Sequence, residues 1–464
     1  MIDFREIEGM YFVGIGGIGM SALALYFSKG GYKIAGYDRS ESRITQALTG
    51  NGCLVTYEDD VNALPSIFGD ISNRNRVIVI YTPAIPSGNN VLSFFKKNGY
   101  RIYKRSEVLG EISANTDTIA VAGTHGKTTV STMIAHLLKQ SVVDCSAFLG
   151  GISKNYDSNL LLGESRYTVI EADEFDRSFL HLKPLMAVVT SVDADHLDIY
   201  GDQATMIDAY NEFCRKIRPG GRLVINSKIS DRIIVPRNVE CFTYGLDAKA
   251  DYYAFNIENC KDYYRFDLKT PASVLRDLHF AFPGIINIEN FTAAIAIADF
   301  CGVTEPEIRK AVILFQGVMR RFDIRINWPD LAYVDDYAHH PEEIRACIRS
   351  IKEYFTGRKI TGIFQPHLFS RTRDHSDGFA EILDELDETI ILPVYPAREM
   401  PIEGVTSELI FNKMKSGRKR LLNKSDIPGK LDVPDLDVLL TIGAGDIDTL
   451  VAPIEEKLKK ERGR

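Results

Sequence analysis

The chain has 464 residues, of which 45% are hydrophobic and 25% charged, and its formal net charge is −8. This balance is typical of a globular protein with room for about three domains, and it excludes disordered, collagen-like and coiled-coil chains. A mildly acidic chain has no bulk attraction for phosphate backbones, so we expect no nucleic-acid partner and a local site for any anionic ligand.

Two further features of the sequence bear on the cellular compartment of the protein. The seven cysteines are scattered, odd in number and never spaced as CxxC, which favours reduced thiols in the cytoplasm. Residues 9–27 carry no charge, but five glycines fall within that stretch and acidic residues precede it. The sequence therefore predicts a strand, a glycine turn and a helix there rather than a signal peptide or a membrane segment.

Short apolar runs alternate with helical segments along the chain, which predicts an α/β fold built on mostly parallel sheets. A period-two pattern within residues 241–282 predicts an antiparallel patch, and helices are expected from about Met20, from Val130 and at residues 290–300. The predicted strands are residues 11–15, 33–37, 77–81, 118–122, 168–171, 187–192, 222–226, 252–257, 263–268, 332–335, 361–365, 388–394 and 437–442.

Residues 103–115 are more charged and lack a strong apolar run, which predicts a first domain boundary there. A second domain boundary is expected near residues 319–323. The expected domains are a Rossmann-like domain at residues 1–105, a central P-loop-type ATPase domain at residues 106–320 and a second Rossmann-like α/β domain at residues 321–464. The basic segment after Glu455 is expected to be a frayed, solvated helix.

The first glycine loop, GIGGIG, follows a predicted strand and supplies Gly14, Gly16, Gly17 and Gly19, with Asp38 at the end of the next strand. Glycines there let a diphosphate approach a helix N-terminus, and the aspartate suits a ribose hydroxyl. The motif alone leaves two interpretations open: an NAD-dependent oxidoreductase, or a protein that binds another diphosphate-bearing nucleotide.

A second loop, GTHGKTT, also joins a strand to a helix and is more distinctive. Its backbone N–H groups would surround phosphates, Lys127 would reach the terminal phosphates, and the Thr128 hydroxyl suits Mg²⁺. The outer glycine of a standard P-loop is Val121 here. The remaining predicted nucleotide-binding residues of this loop are Gly123, Thr124, His125, Gly126 and Thr129.

Two acidic clusters follow strands of the same predicted domain. Glu171, Asp173 and Glu174 close one strand, and His196 stands among three aspartates after the next. Carboxylates beside a triphosphate are unfavourable unless a cation lies between them, so this pattern favours a Mg²⁺ site. A solvated acidic loop is the structural alternative.

GTHGKTT resembles the ATP loop of the Mur ligases, the ATP-dependent amino-acid-adding enzymes of peptidoglycan synthesis. GIGGIGMSALA, EADEFDRSFLHLKP, DADHLDIYGD and DDYAHHPEE follow in this family's order along the whole chain. The resemblance implies ATP and Mg²⁺ as cofactors and an acyl-phosphate intermediate. It is strongest to the branch that joins L-alanine to UDP-N-acetylmuramate; a sibling that adds another amino acid or a tripeptide, and a non-catalytic nucleotide-binding module, are the alternatives.

The resemblance also implies residue roles. Thr128, Glu171 and His196 would hold the metal, and Lys127 would act on the phosphates. Asn287 and Asn290 would contact the nucleotide, although Ile286 replaces the family's usual histidine and both asparagines could instead cap a helix. The first glycine loop, with Asp38, would bind the UDP-sugar.

In the C-terminal domain, the resemblance maps the family's junction arginine to Arg321 and its nucleotide-holding aspartate to Asp336. His339 would lie near the transferred phosphate and act as a base. The amino-acid site would comprise Tyr337, His367 and Arg371, the arginine because a carboxylate favours a guanidinium partner. Leu368 stands where the family usually has an arginine.

Overall fold

The computed structural model describes residues 2–86, 88–193, 197–260, 263–397 and 399–463, with only the backbone of residues 197 and 198 described. The described chain forms two compact units. One comprises Met1–Phe282 with Ile286–Gln316, and the other Pro283–Ile285 with Gly317–Arg464.

The first unit begins with a parallel sheet in the order β3-β2-β1-β4-β5. Its central strands are apolar runs buried almost throughout, as expected for a sheet covered on both faces. The strands are β1 (Gly9–Val13), β2 (Lys33–Tyr37), β3 (Leu54–Thr56), β4 (Val77–Tyr81) and β5 (Arg101–Lys104). The helices are α1 (Ile18–Lys29), α2 (Arg43–Gly50), α3 (Ser66–Gly69), α4 (Asn90–Lys97) and α5 (Arg105–Ala114).

A second sheet of the same unit has the order β15-β14-β13-β12-β11-β10-β6-β9-β7-β8. Its strands from β13 to β7 in this order pair in parallel, while β14, β15 and β8 are antiparallel additions at the two edges. The strands are β6 (Asp117–Ala122), β7 (Ser146–Ser153), β8 (Ser158–Leu161), β9 (Tyr167–Glu171), β10 (Met186–Val189), β11 (Arg222–Asn226), β12 (Glu240–Gly245), β13 (Tyr252–Asn259), β14 (Tyr264–Lys269) and β15 (Val274–Phe280). The helices are α6 (Lys127–Lys139), α7 (Leu197–Tyr200), α8 (Gln203–Arg215), α9 (Ile285–Phe300) and α10 (Glu305–Leu314).

The second unit contains a sheet in the order β16-β17-β21-β18-β19-β20, parallel except for the edge strand β16. The strands are β16 (Asp323–Trp328), β17 (Leu331–Asp336), β18 (Ile360–Phe364), β19 (Glu388–Ile391), β20 (Lys419–Leu421) and β21 (Val438–Ile442). The helices are α11 (Pro341–Tyr354), α12 (Phe369–Asp374), α13 (Ser376–Leu383), α14 (Ser407–Lys413), α15 (Ile427–Lys430) and α16 (Val451–Glu461).

The predicted α/β class is confirmed. Residues 103–115, where the first boundary is predicted, contain the end of β5 and helix α5, and the boundary itself stays a prediction. Two details differ from the sequence expectations. Six strands lie where no strand was predicted: β3, β5, β7, β8, β16 and β20. The expectation of a frayed C-terminal helix is wrong, because α16 continues to Glu461 and buries both Ile454 and Leu458 completely.

In each sheet, the carboxyl ends of parallel strands lead into the loops that carry the predicted site residues. Within the first unit, β1 leads to the first glycine loop, β6 to the second, and β9 to the acidic cluster at Glu171. Within the second unit, β17 ends at Asp336 and β18 leads to His367. Open α/β sheets bind ligands at this edge, so the fold itself places these residues where ligands are expected.

Candidate active site

The loop GTHGKTT connects β6 to α6 and is shaped by the end of β10. Gly123 and Gly126 have φ values of +137° and +83°, which favour glycine. A Cβ atom on Gly123 would lie 1.9 Å from the hydroxyl of Thr190. The backbone N–H of His125 donates to the hydroxyl of Ser191 at 2.8 Å. Neighbouring side chains therefore hold the loop in a conformation that requires glycine at two positions.

The ammonium group of Lys127 is enclosed by this loop and by the acidic cluster. It donates to the carbonyl of Gly123 at 2.6 Å and to the Glu174 carboxylate at 2.8 Å. Burial alone would lower the pKa of Lys127, but the carboxylates of Glu174, Asp173 and Glu171 outweigh it and raise that pKa. The lysine is therefore held as a cation, the form that a phosphate ligand requires.

Thr128 and Glu171 bring a hydroxyl and a carboxylate together beside the loop. The Thr128 hydroxyl donates to Glu171 Oε1 at 3.1 Å, and the backbone N–H of Gly150 donates to Glu171 Oε2 at 3.0 Å. A Cβ atom on Gly150 would lie 2.2 Å from the same carboxylate oxygen. Strand β7 therefore passes so close to Glu171 that any side chain at position 150 would displace the Glu171 carboxylate.

These two oxygen donors fit a magnesium ion. Among the residues that the structure describes, no three His, Cys, Asp or Glu side chains form a metal-binding cluster. Mg²⁺ is often held by one or two protein carboxylates, with phosphate and water oxygens completing its shell, so Glu171 and Thr128 suit it. The other predicted ligand, His196, lies outside the described residues.

Helix α9 brings the two predicted asparagines to the same loop. Asn290 Oδ1 lies 3.2 Å from the position that a Cβ atom on Gly126 would take, and its Nδ2 donates to Asn287 Oδ1 at 3.3 Å. Because α9 begins at Ile285, neither asparagine occupies the position that precedes the helix. Their place beside the loop favours a nucleotide contact, and both this role and the capping role stay predictions.

The first glycine loop is tied to Asp38 at the end of β2. The backbone N–H of Gly16 donates to Asp38 Oδ2 at 2.7 Å, and a Cβ atom on Gly16 would lie 2.8 Å from that oxygen. Gly14 has φ +88°. Asp38 thus contributes to the shape of the loop, and its contact with a ribose hydroxyl stays a prediction.

A cavity of about 290 Å³ lies between this first loop and the acidic end of β9. Gly17 and Gly19 line one side, Glu171 and Asp173 line another, and Arg105 carries the only positive charge among the described lining residues. A substrate with several negative charges that enters this cavity meets one cation, Arg105.

Arg105 is a candidate site residue that sequence reasoning missed. Its guanidinium lies 3.4 Å from Asp173 Oδ2, and a Cβ atom on Gly19 would lie 2.6 Å from Arg105 Nη1. A Cβ atom on Gly17, in contrast, would have no neighbour nearer than 3.5 Å. Gly19 therefore makes room for Arg105, whereas a side chain at Gly17 would meet only ordinary van der Waals contacts.

In the second unit, Asp336 holds the segment that contains the predicted arginine. Its carboxylate accepts the backbone N–H of Phe322 at 2.6 Å and that of Ala338 at 2.8 Å. Burial raises the pKa of Asp336, while the positive charge of Arg321 opposes the shift. Phe322 and Arg320, on either side of Arg321, both have positive φ, so Asp336 stabilises an unusual backbone there.

Five of the predicted residues of the second unit form one cluster. The guanidinium carbon of Arg321 lies 5.0 Å from the centre of the Tyr337 ring, which lies 5.3 Å from the ring of His339. The rings of His339 and His367 are 5.9 Å apart, and Arg371 Nη1 lies 3.3 Å from His367 Nδ1. The fold thus assembles two imidazoles, a phenol and two guanidinium groups.

Leu368, between His367 and α12, has an unusual backbone for a non-glycine residue. Its φ of +72° and ψ of 137° cost on the order of 1–3 kcal/mol. Its N–H donates to the carbonyl of Tyr395 at 2.9 Å, and its carbonyl accepts the Thr372 hydroxyl at 2.7 Å. These bonds fix the backbone beside His367. They do so at the position where the family resemblance implies an arginine and this chain has Leu368.

Three family models match successive parts of the chain. They are the Mur ligase family, catalytic domain, at residues 9–116, the Mur ligase middle domain at residues 121–298, and the Mur ligase, glutamate ligase domain, at residues 320–445. Together they match well over half of the chain.

The chain belongs to the Mur ligase family.

Relatives of this Mur ligase cover nearly its whole length. A UDP-N-acetylmuramate–L-alanine ligase from Parabacteroides distasonis is 46% identical over 461 residues, which are 99% of this chain and 99% of that protein. The solved structure of a UDP-N-acetylmuramate-alanine ligase from Thermotoga maritima is 26% identical, covers 98% of this chain and 99% of its own, and has a TM-score of 0.81. A murein peptide ligase from Psychrobacter arcticus, 22% identical over 97% of this chain and 98% of its own with a TM-score of 0.72, shares the fold.

Within this Mur ligase, the first unit brings Lys127, Thr128, Glu171 and Asn290 to one loop, and the second unit gathers the cluster around Tyr337. The individual roles of these residues stay predictions. No helix in the described part of the chain has the length and apolar character needed to span a membrane.

Proposed function

We propose that this chain is an ATP-dependent ligase that joins the carboxylate of UDP-N-acetylmuramate to the amino group of L-alanine in peptidoglycan precursor synthesis. The observation that carries the proposal is the 46% identity, over 99% of both chains, to a ligase of that name. Membership of the Mur ligase family decides against an oxidoreductase, which the first glycine loop alone had left open.

In the first step, the muramoyl carboxylate attacks the γ-phosphorus of ATP and gives ADP and an acyl phosphate. Lys127 stabilises negative charge on the phosphate oxygens, and its buried ion pair with Glu174 keeps it charged for that task. Bound Mg²⁺, held by Thr128, Glu171 and His196, would neutralise further charge on those oxygens. Asn287 and Asn290 contact the nucleotide beside Gly126.

In the second step, the amine of L-alanine attacks the acyl carbon and inorganic phosphate leaves. His339 accepts the proton that the amine releases, because burial lowers the pKa of His339 and so keeps the imidazole neutral. Arg371 and His367 bind the amino-acid carboxylate beside Tyr337, which lines this site. Arg321 and Asp336 act on the nucleotide and its transferring phosphate.

We assign these tasks to three parts of the chain. Residues 1–105 bind the UDP-sugar through Gly14, Gly16, Gly17, Gly19 and Asp38. Residues 106–320 bind ATP, with the remaining loop residues Gly123, Thr124, His125, Gly126 and Thr129 around the phosphates. Residues 321–464 supply the amino-acid site, and the enzyme works in the cytoplasm.

The test is phosphate release by the purified full chain with UDP-N-acetylmuramate, ATP and Mg²⁺, across a panel of amino acids that also includes a tripeptide. We expect release to depend on all three substrates and to be fastest with L-alanine. A preference for another amino acid or for the tripeptide would overturn the assigned acceptor and leave the family intact. NADH binding without any ATP-dependent phosphate release would overturn the ligase function.

A further inference from the structure

Hydrogen-bond partners define the protonation of His339 in the second unit. Its Nδ1 lies 3.0 Å from the carbonyl oxygen of Tyr337 and 3.5 Å from the carboxylate of Glu343. The Tyr337 carbonyl, which is the hydrogen-bond partner of Nδ1, can only accept, so Nδ1 must carry the hydrogen. Glu343 is a charged neighbour of this nitrogen rather than its hydrogen-bond partner. In a neutral imidazole, Nε2 is then the nitrogen with the free lone pair.

His367 has the opposite arrangement. Its Nδ1 lies 3.3 Å from Nη1 of Arg371, and a guanidinium group can only donate. Nδ1 of His367 must therefore accept, and Nε2 carries its hydrogen. Two rings whose centres are 5.9 Å apart thus present different nitrogens: a base on His339 and a donor on His367.

Glu343 lies where it can control the first of these rings. Its Oε2 accepts the backbone N–H groups of His339 at 3.0 Å and His340 at 3.2 Å, which places the carboxylate at the start of α11. Its side chain is mostly buried, at 17% exposed. One carboxylate therefore fixes the backbone of His339 and places a negative charge beside its ring.

The charges that face the His339 ring come from three directions. Burial lowers the pKa of His339, Glu343 on α11 opposes that effect, and Arg371 on α12 and Arg321 before β16 lower the pKa further. The Tyr337 carbonyl acts in the same sense as Glu343. Glu343 is the only negatively charged group among these influences.

We propose that Glu343 is a positioning residue that fixes the backbone of His339 and stabilises positive charge on its ring, while the Tyr337 carbonyl holds the ring in the Nδ1–H tautomer, so that Nε2 accepts the proton of the attacking amine. Arg371 donates to His367 and so holds it in the Nε2–H tautomer. This assignment deepens the proposed function and rests on it for the identity of the amine.

The proton balance of the step follows. The amine nitrogen forms a bond to the acyl carbon, its proton passes to Nε2 of His339, and the bond from the acyl carbon to the phosphate oxygen breaks. Nδ1–H keeps its bond to the Tyr337 carbonyl throughout, so the imidazolium that forms has an N–H on each side. Glu343 stabilises that cation, as a carboxylate does beside other catalytic histidines.

The test is ¹⁵N NMR of the histidine rings in the full chain labelled with ¹⁵N-histidine. His339→Gln and His367→Gln assign the two signals among the nine histidines of the sequence. At neutral pH we expect the unprotonated, pyridine-type nitrogen to be Nε2 in His339 and Nδ1 in His367. The reverse pattern in His339 would overturn the proposal whether or not the enzyme uses L-alanine.

Glu343→Gln tests the positioning role, because a glutamine oxygen can still accept the two backbone N–H groups. We expect the pKa of His339, read from the same signals, to fall and kcat to drop about 10-fold or more, while KM for ATP stays unchanged. Glu342→Gln, the same change one residue earlier on a side chain that is 64% exposed, is the matched control and should match wild type.

The outcomes separate the two proposals. An unchanged His339 pKa in Glu343→Gln would overturn the positioning role, even if kcat falls. The wild-type tautomer pattern tests the geometry even if that variant fails to fold. The predicted tautomers in a protein without amino-acid-dependent phosphate release would overturn the proposed function and leave the hydrogen-bond assignment standing.

Discussion

The ammonium group of Lys127 lies 2.8 Å from the carboxylate of Glu174, whose side chain is 1% exposed. The same ammonium donates to the carbonyl of Gly123 in the phosphate loop. The pair therefore links the proposed phosphate site to the acidic strand end behind it. It has two consequences, one for stability and one for catalysis, and these can be measured separately.

Replacing Lys127 by methionine should abolish ATP-dependent phosphate release and also destabilise the protein. The catalytic loss, at least about 100-fold, follows from removing a positive charge that stabilises the transferring phosphate. The stability loss, about 3–5 kcal/mol, follows from leaving the buried Glu174 carboxylate without its cation. Thermal unfolding and phosphate release measure the two effects.

The double variant Lys127→Met/Glu174→Gln is the control. A neutral amide needs no cation, so we expect it to regain part of the stability and none of the activity. If Lys127→Met keeps more than a tenth of wild-type activity, the lysine does not act on the phosphates.

Replacing Arg105 by alanine should raise KM for UDP-N-acetylmuramate about 10- to 100-fold, since a hydrogen bond to a charged group contributes about 1.5–3 kcal/mol. KM for ATP should change little. Lys104→Ala removes the adjacent cation, which pairs with Asp176 at 2.8 Å, and is the matched control. Equal effects of the two changes on KM would contradict a specific role for Arg105.

Gly19→Ala should act through Arg105, because the new Cβ atom would lie 2.6 Å from its guanidinium. We expect KM for the UDP-sugar to rise and the effects of Gly19→Ala and Arg105→Ala to be strongly non-additive in the double variant. Gly17→Ala makes only ordinary van der Waals contacts, the nearest at 3.5 Å, so it should leave the unfolding temperature unchanged. Full additivity would show that Gly19 serves some other purpose.

Glu171→Gln should weaken the apparent affinity for Mg²⁺ by at least about 10-fold, because an amide oxygen replaces a carboxylate beside Thr128. Titrating Mg²⁺ at saturating substrates measures the shift. Glu240→Gln, on an exposed side chain paired with Arg222, is a control with the same chemistry. An unchanged Mg²⁺ requirement in Glu171→Gln would remove this residue from the metal site.

The second unit should lose stability as the pH rises through about 6. Burial raises the pKa of Asp335 to about 6 despite its bonds from Arg320 and Thr441. A carboxyl with a higher pKa in the folded state stabilises that state fully at low pH, and this contribution disappears above the folded pKa. A shift of about two units corresponds to about 3 kcal/mol.

Asp335→Asn removes this titration. The fall in unfolding free energy between pH 4 and pH 7 should therefore be smaller in the variant than in the wild-type protein. Urea unfolding followed by fluorescence of Trp328, the single tryptophan of the sequence, reports on this unit. Parallel pH curves for the two proteins would contradict a raised pKa.

The sequence was most informative where strands end in residues with distinctive chemistry. Gly123, Lys127 and Glu171 could be placed because parallel strands deliver their C-terminal residues to one edge of a sheet. Asp336 and His339 follow the same rule in the second unit. In each case a local pattern of apolar residues followed by glycine or carboxylates determines the geometry.

Contacts between distant parts of the chain could not be predicted in the same way. Arg105 lies in a charged stretch, and only the folded chain brings it against Gly19 and Asp173. Strand β7 contains Gly150 and Gly151 and has no alternating pattern, so its strand conformation depends on pairing with β9. In α16, the many charged residues obscure the apolar pattern in the sequence. Ile454 and Leu458 are four residues apart, so both lie on one helix face, and both are buried.

The proposed acyl-phosphate route is tested most directly by ¹⁸O transfer. UDP-N-acetylmuramate labelled with ¹⁸O in its muramoyl carboxylate is incubated with ATP, Mg²⁺, L-alanine and the full chain, and both products are weighed by mass spectrometry. We predict an L-alanine amide that keeps one of the two carboxylate oxygens, with the other in the released phosphate. Phosphate free of ¹⁸O, or no L-alanine amide at all, would contradict the account.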